Sequence, residues 1–233
     1  MRINKRLVEL GFCSRRQADK LIEKGQVLIN GKVASLGQDV LDTDKIEVSG
    51  KQLINNVKDK IILAYNKEKG IICTESKVEK QTKISDKIKE FGIDGRLFTV
   101  GRLDKDTTGL LIITNDGELT RYLTNAKNKV EKEYEVKVNK DITNDFINKA
   151  EKGVYIEELD KTTGKAKIKK IGKEKNRFSI TITEGFNREI KRLCIALGLR
   201  VVELKRIRIK DLRLGDLQPG QYKYITRKDI GIK

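Results

Sequence analysis

Two aspartates, Asp104 and Asp106, are the side chains in this sequence best placed to do chemistry. They follow Arg102 within the string LFTVGRLDKDTTGLLIITNDG, residues 97–117, which predicts a strand, a polar turn and a second strand. The run LLII at 110–113 is typical of a strand buried on both faces, and we predict that Asp104 ends the first strand. A carboxylate held by buried strands beside a cation stays ionised and can act as a nucleophile or a general base.

Other uses of these carboxylates stay open on the residues alone. Asp104 and Asp106 could bind a divalent cation, but the chain has no His and no third acid nearby, so the ligand set is poor. Asp104 could also only cap a turn. The absence of His excludes His-based triads and His-ligated zinc, and the three cysteines form no CxxC pair: Cys13, Cys73 and Cys194. From the residues we expect reduced core thiols and no metal site.

The positive charge of the chain points to a polyanionic partner. The 233 residues include 51 Lys and Arg against 34 Asp and Glu, a formal net charge of +17. Such an excess favours nucleic acid, with an anionic membrane surface as the weaker option. The length indicates one or two domains, and no apolar run approaches the roughly 20 residues that span a bilayer.

The first 35 residues predict a small unit of two helices and a hairpin. The helical spacing of the first helix stops at Gly11. Ser14 and Gln17 match a capping box for the second helix, and Asn30-Gly31 predicts a tight hairpin. The second helix carries basic side chains on one face and at its start: Arg15, Arg16, Lys20 and Lys24. This stripe is either a solvated face or an edge that follows an RNA backbone.

Beyond this unit the pattern predicts a linker and a larger second domain. Residues 49–60 lack a sustained period and carry turn formers, so we assign them as the linker. Apolar and polar residues alternate at 133–138 and 178–183, as in strands, whereas 84–91 and 190–197 have helical spacing. Since strands outnumber helices without alternating strictly with them, we predict an α+β fold with a mostly antiparallel mixed sheet flanked by helices.

The N-terminal unit resembles the S4 RNA-binding domain. The resemblance rests on the string RLVELGFCSRRQADKLIEKGQVLINGKV, residues 6–33, and we expect the domain to span residues 1–48. It implies an RNA-contacting surface lined by four residues: Ser14, Arg15, Arg16 and Lys20.

The rest of the chain resembles the pseudouridine synthases of the group that contains RsuA, RluB, RluE and RluF. The most specific match is GRLDKDTTGLLIITNDGEL, within the string already described. Four further strings match the group's motifs in order: YNKEKG at 65–70, which the pattern alone predicts as a turn, KEYEV at 132–136, EGFNREIKRLCIALGLRVVELKRIRI at 184–209 and LRLGDLQPGQYKYIT at 212–226. The resemblance implies a pseudouridine synthase catalytic domain over residues 61–233.

The resemblance also implies a reaction and its residues. A uridine in RNA would be flipped out of its stack, its N-glycosidic bond would break, and C5 of the uracil would bond to the sugar without a cofactor. Asp104 would be the essential carboxylate, Tyr134 would lie against the base, and Lys191 would hold Asp104 ionised. Substrate contacts are implied for three more residues: Arg102, Leu193 and Arg188. From spacing alone, Tyr134 is most simply a core residue, and core packing explains Leu193 equally well.

Partner and substrate are narrower implications of the same resemblance. The pair Asn187-Arg188 is similar to RluF-type members, which implies large-subunit rRNA or a pre-ribosomal particle as the partner. We expect a cytoplasmic monomer, since no heptad or apolar surface stripe in the sequence suggests an oligomer. Two departures bear on substrate choice, since Glu68 stands where the group has Pro and Glu189 where it has Gln. Two other classes stay open: a non-catalytic RNA-binding or ribosome-assembly factor, and a nucleoside glycosidase, which the charge disfavours.

Overall fold

The computed structural model describes residues 1–53, 59–74 and 81–232. The chain forms two compact units, each with its own apolar core. The first comprises Met1–Ile61 and Ile93–Leu97, and the second comprises Ile62–Gly92 and Phe98–Lys233. No helix in the described ranges is long and apolar enough to cross a membrane.

The first unit consists of two short helices followed by a four-stranded antiparallel sheet. In chain order the elements are α1 (Ile3–Glu9), α2 (Arg15–Glu23), β1 (Val27–Ile29), β2 (Lys32–Val33), β3 (Ile46–Val48) and β4 (Lys51–Leu53). The predicted capping box is confirmed, because Ser14 Oγ accepts from Gln17 N at 3.3 Å and Gln17 Oε1 accepts from Ser14 N at 3.0 Å. The predicted hairpin is confirmed as well, since Asn30 and Gly31 both have positive φ between β1 and β2.

The segment predicted as a linker begins inside this sheet. Ser49 and Gly50 both have positive φ and turn the chain from β3 into β4, which pairs with β3. A three-residue edge strand is too short to show a period, which is why 49–60 looked irregular. Residues 54–58 lie outside the described residues, and the division into 1–48, 49–60 and 61–233 stays a prediction.

The second unit is built on a nine-stranded sheet. Its elements are β5 (Ile62–Lys67), α3 (Ile84–Glu90), β6 (Phe98–Thr99), β7 (Thr108–Thr114), α4 (Gly117–Thr124), β8 (Lys132–Val138), α5 (Asn144–Lys152), β9 (Tyr155–Ile156), β10 (Lys161–Thr162), β11 (Lys167–Lys170), β12 (Arg177–Ile182), α6 (Glu189–Ala196), β13 (Val201–Ile209), β14 (Leu212–Arg213) and β15 (Tyr222–Tyr224). The sheet order is β11-β12-β8-β13-β7-β5-β15, with β14 on β13 and β6 on β7, while β9 and β10 form a separate pair. Among the described strands only β7 and β13 pair in parallel, so the predicted α+β fold with a mostly antiparallel sheet is confirmed.

The sheet is covered on both faces around β5 and β7. On one face Ile112 joins a core cluster with Leu119 and Leu123 of α4. On the other face the Tyr65 ring lies 5.6 Å from the ring of Phe91, just after α3. Burial on both sides explains the continuous apolar run predicted as a buried strand.

Two local predictions in this unit need correction. β5 continues through Lys67, so the turn predicted over 65–70 is confined to Lys69 and Gly70. The strand before Asp104 is only the two residues of β6, because the chain turns at Gly101, whose φ is +72°. Asp104 therefore lies in the loop between β6 and β7.

Candidate active site

The loop that carries Asp104 is fixed by backbone hydrogen bonds before any side chain acts. Thr107 N donates to Asp104 O at 3.1 Å and closes the turn, and Gly70 N donates to Lys105 O at 2.7 Å. The second bond ties the loop to the segment that follows β5. The Asp104 side chain stays 31% exposed, so a substrate can reach its carboxylate.

A buried lysine that sequence reasoning missed holds this loop from the sheet. Lys67 ends β5, is 0% exposed, and donates from Nζ to the carbonyl oxygens of Thr107 at 2.8 Å, Glu68 at 2.9 Å and Lys105 at 3.4 Å. Burial lowers the pKa of Lys67, and nearby acidic groups oppose that shift. The sequence signal that could have identified Lys67 was its position at the end of the mostly apolar string ILAYNK.

We expect Lys67→Met to lower the free energy of unfolding by about 3 kcal/mol, because buried carbonyl oxygens lose their donor. Urea denaturation measures this, with the exposed Lys69→Met as the matched control. A loss below about 0.5 kcal/mol, the usual range of a surface change, would show that Lys67 does not anchor the loop.

Lys191 joins the two loop carboxylates. It lies on α6, is 6% exposed, and its Nζ is 3.0 Å from Asp104 Oδ2 and also hydrogen-bonds Asp106 Oδ1. Partial burial raises the pKa of Asp106, but the hydrogen bond and charge of Lys191 outweigh it, so this pKa lies below its ordinary value. The Lys191 ammonium occupies the position in which a metal ion shared by Asp104 and Asp106 would bind, and this disfavours the metal interpretation.

Tyr134 lies on the same sheet face as Lys67. The pairing of β5, β7, β13 and β8 places four residues in one cross-strand row: Lys67, Gly109, Arg206 and Tyr134. Tyr134 is 8% exposed, and the Arg206 guanidinium carbon is 6.0 Å from its ring centroid. Gly109 has φ +99°, and a Cβ there would collide with the Arg206 backbone, so the close approach of β7 and β13 requires glycine.

The three implied substrate contacts are dispersed. Arg102 is exposed on the loop before Asp104. Arg188 is exposed in the left-handed conformation at the start of α6, and its charge helps to lower the pKa of Asp106. Leu193 is 1% exposed, which agrees with its interpretation as a core residue.

Both departures from the group's pattern are accommodated inside the fold. Glu68 accepts a hydrogen bond from the buried Tyr65 hydroxyl, and burial together with this bond raises the pKa of Tyr65. Glu189 is 4% exposed and accepts from Phe186 N at 3.3 Å. Burial, and then the neighbouring Glu184, raise the pKa of Glu189 to about 8, so it is mainly an uncharged acid at pH 7.

In the first unit the predicted RNA-contacting residues split into two kinds. Arg15, Arg16 and Lys20 are exposed on α2. Ser14 is half-buried, and its hydroxyl caps the helix by accepting from Gln17 N. The basic stripe is therefore available at the surface.

Comparison with known proteins places this arrangement in a family. Residues 61–196 match the RNA pseudouridylate synthase family, and residues 1–46 match the S4 domain. The chain belongs to the RNA pseudouridylate synthase family, and it is a pseudouridine synthase with an N-terminal S4 domain.

Named relatives and a solved structure match over nearly the whole chain. The chain is 40% identical to the dual-specificity RNA pseudouridine synthase RluF of Escherichia coli K12, over 99% of this chain and 77% of the relative. It is 34% identical to the ribosomal large subunit pseudouridine synthase B of Bacillus subtilis, over 98% of this chain and 93% of the relative. A crystal structure of a pseudouridylate synthase superposes with a TM-score of 0.70 at 28% identity, over 99% of this chain and 98% of that one.

Proposed function

We propose that this enzyme converts a uridine of large-subunit rRNA to pseudouridine, with Asp104 as the essential carboxylate. The observation that carries this proposal is the buried Lys191 ammonium, 3.0 Å from an accessible Asp104 carboxylate in an anchored loop. The names of RluF and of the large-subunit synthase from Bacillus subtilis support rRNA as the substrate class.

The reaction needs one ionised carboxylate in a fixed position. The Lys191 ammonium, 3.0 Å from Oδ2, fixes the position of the Asp104 carboxylate, which either attacks C1′ of the flipped nucleotide or removes a sugar proton. Tyr134 forms an aromatic surface for the uracil on the same sheet face. Arg102 in this loop and Arg188 at the start of α6 supply exposed positive charge for the target phosphates.

RNA must also be held strongly enough to offset nucleotide extrusion, which costs a few kcal/mol. Arg15, Arg16 and Lys20 on α2 provide exposed cations for backbone phosphates. We propose that the enzyme works as a monomer in the cytoplasm, where rRNA is available.

Mapping on rRNA tests this proposal. Wild-type protein and Asp104→Asn are incubated separately with unmodified large-subunit and small-subunit rRNA transcripts and with ribosomal particles, and pseudouridine is located by chemical labelling and primer extension. We expect one new stop in large-subunit rRNA with the wild type and none with the variant. A stop only in small-subunit rRNA would refute the substrate, and tight binding without any stop would favour an assembly factor.

Removing the α2 charges is expected to weaken RNA binding in a salt-dependent way. In Arg15→Gln/Arg16→Gln/Lys20→Gln, each lost phosphate contact lowers the slope of log Kd against log salt by about 1, so the slope falls by about 3. Filter binding between about 50 and 200 mM salt measures it.

The control removes the same number of charges from exposed lysines elsewhere in the first unit: Lys32, Lys45 and Lys51. Equal slopes for the two triple variants would mean that α2 is not the RNA-contacting surface.

A further inference from the structure

Arg206 is a buried cation that the roles assigned above do not use. Its side chain is 3% exposed in the middle of β13, where Nε donates to Leu110 O at 2.7 Å. Its Nη2 has no hydrogen-bond partner within the described residues, and no carboxylate there forms an ion pair with it. A buried charge without a counter-charge is costly, so its presence calls for a compensating function.

The position of Arg206 suggests that function. It is the cross-strand neighbour of Tyr134, and its guanidinium carbon is 6.0 Å from the centroid of that ring. The same row of residues continues through Gly109 to Lys67, whose ammonium holds the loop of Asp104. Arg206 therefore lies beside the aromatic surface that the proposed function assigns to the uracil.

The field of Arg206 reaches this face of β8. Lys132 lies two residues before Tyr134 on the same face of the strand. Burial lowers the pKa of Lys132 first, and the Arg206 charge lowers it further.

The reaction creates negative charge at this place. When the C1′–N1 bond breaks, both of its electrons go to the uracil, which becomes an anion with charge spread over N1 and its carbonyl oxygens. The anion then forms the C5–C1′ bond, loses the C5 proton to a base and takes up a proton at N1. Uridine and pseudouridine are isomers, so no co-reactant is consumed. A fixed positive charge beside the departing ring lowers the energy of the step without reorganisation.

We propose that Arg206 is a positioning residue whose buried charge, acting from beside Tyr134, stabilises the uracil anion as the N-glycosidic bond breaks. This inference rests on the proposed function, because it requires the flipped base to lie on Tyr134. It assigns a role to the cation of the row that no other part of the proposed mechanism uses.

A leaving-group experiment tests the proposal. Single-turnover cleavage of the N-glycosidic bond is followed on a stem-loop that spans the mapped uridine, carrying either uridine or 5-fluorouridine at the target. Fluorine at C5 stabilises the uracil anion and reduces the need for protein charge. We expect Arg206→Met to slow uridine cleavage by roughly 10²-fold and 5-fluorouridine cleavage by only about tenfold.

Two further variants separate charge from structure. Arg206→Gln removes the charge but can still donate to Leu110 O, and we expect it to show the same unequal loss. Arg208→Met is the matched control on the same strand, because Arg208 is paired with Glu133 at 2.8 Å and Glu131 at 3.0 Å. We expect this control to keep the wild-type ratio of the two cleavage rates.

Each outcome bears on a different statement. The role of Arg206 is overturned if Arg206→Gln slows the cleavage of both substrates equally or slows neither. In either case, conversion of uridine by the wild type leaves the proposed function intact. If wild type converts neither substrate, the proposed function fails first. If Arg206→Met does not fold, as a thermal melt would show, Arg206→Gln alone decides the question.

Discussion

Asp104→Asn is expected to abolish pseudouridine formation, with a single-turnover rate lower by roughly 10³-fold or more. The amide has nearly the same shape and can still accept a hydrogen bond from Lys191 Nζ, which is 3.0 Å from Asp104 Oδ2. It cannot attack C1′ or accept a sugar proton as a carboxylate does. Because the turn is held by the backbone bond from Thr107, folding and RNA affinity should stay near wild type.

Asp106→Asn is the matched control, since Asp106 binds the same Lys191 ammonium but its side chain is more exposed, at 52%. We expect the rate to fall by about tenfold, because Lys191 loses one of its two charged partners while Asp104 stays intact. Quench-flow measurement on the mapped stem-loop separates the two variants. Equal losses in both, or more than a tenth of the rate retained by Asp104→Asn, would show that Asp104 is not the essential carboxylate.

The second large effect concerns stability and pH, and it is expected for Glu189→Gln. Burial raises the pKa of Glu189 to about 8, from an ordinary value of 4.5. Between these two values the folded protein holds a proton that the unfolded chain releases, so stability falls as pH rises from about 4.5 to 8. Gln does not ionise, and its side-chain oxygen can still accept from Phe186 N.

We therefore expect Glu189→Gln to match the wild type near pH 4.5 and to exceed its free energy of unfolding by a few kcal/mol, on an order-of-magnitude estimate, at pH 9. Urea denaturation across this range measures the difference. Glu203→Gln is the control, because Glu203 is a surface partner of Arg177 with its side chain 58% exposed. If Glu189→Gln and the wild type have parallel pH profiles, the Glu189 carboxyl is ionised in the folded protein.

Local hydrogen bonding explains why many elements were predictable from the amino acids. Ser14 and Gln17 cap α2, and Thr143 Oγ1 accepts from Phe146 N at the start of α5, which ends at Gly153 as its residue type indicates. These signals involve residues at most a few positions apart, so no tertiary contact is needed to recognise them. The short edge strand β4 escaped prediction because three residues carry no period.

The family motifs of the chain also indicated three candidate site residues: Asp104, Tyr134 and Lys191. The family that these motifs indicate is confirmed. In the structure Lys191 donates a hydrogen bond to Asp104, which lies 87 positions away in the sequence. The local sequence pattern could not predict the strand register. This register places Lys67 and Arg206 on either side of Gly109 in one cross-strand row. Register depends on backbone pairing between distant segments and on a glycine that lets two strands approach closely. The family motifs in the sequence therefore indicate the candidate reacting groups, whereas tertiary pairing alone sets which buried cations surround them.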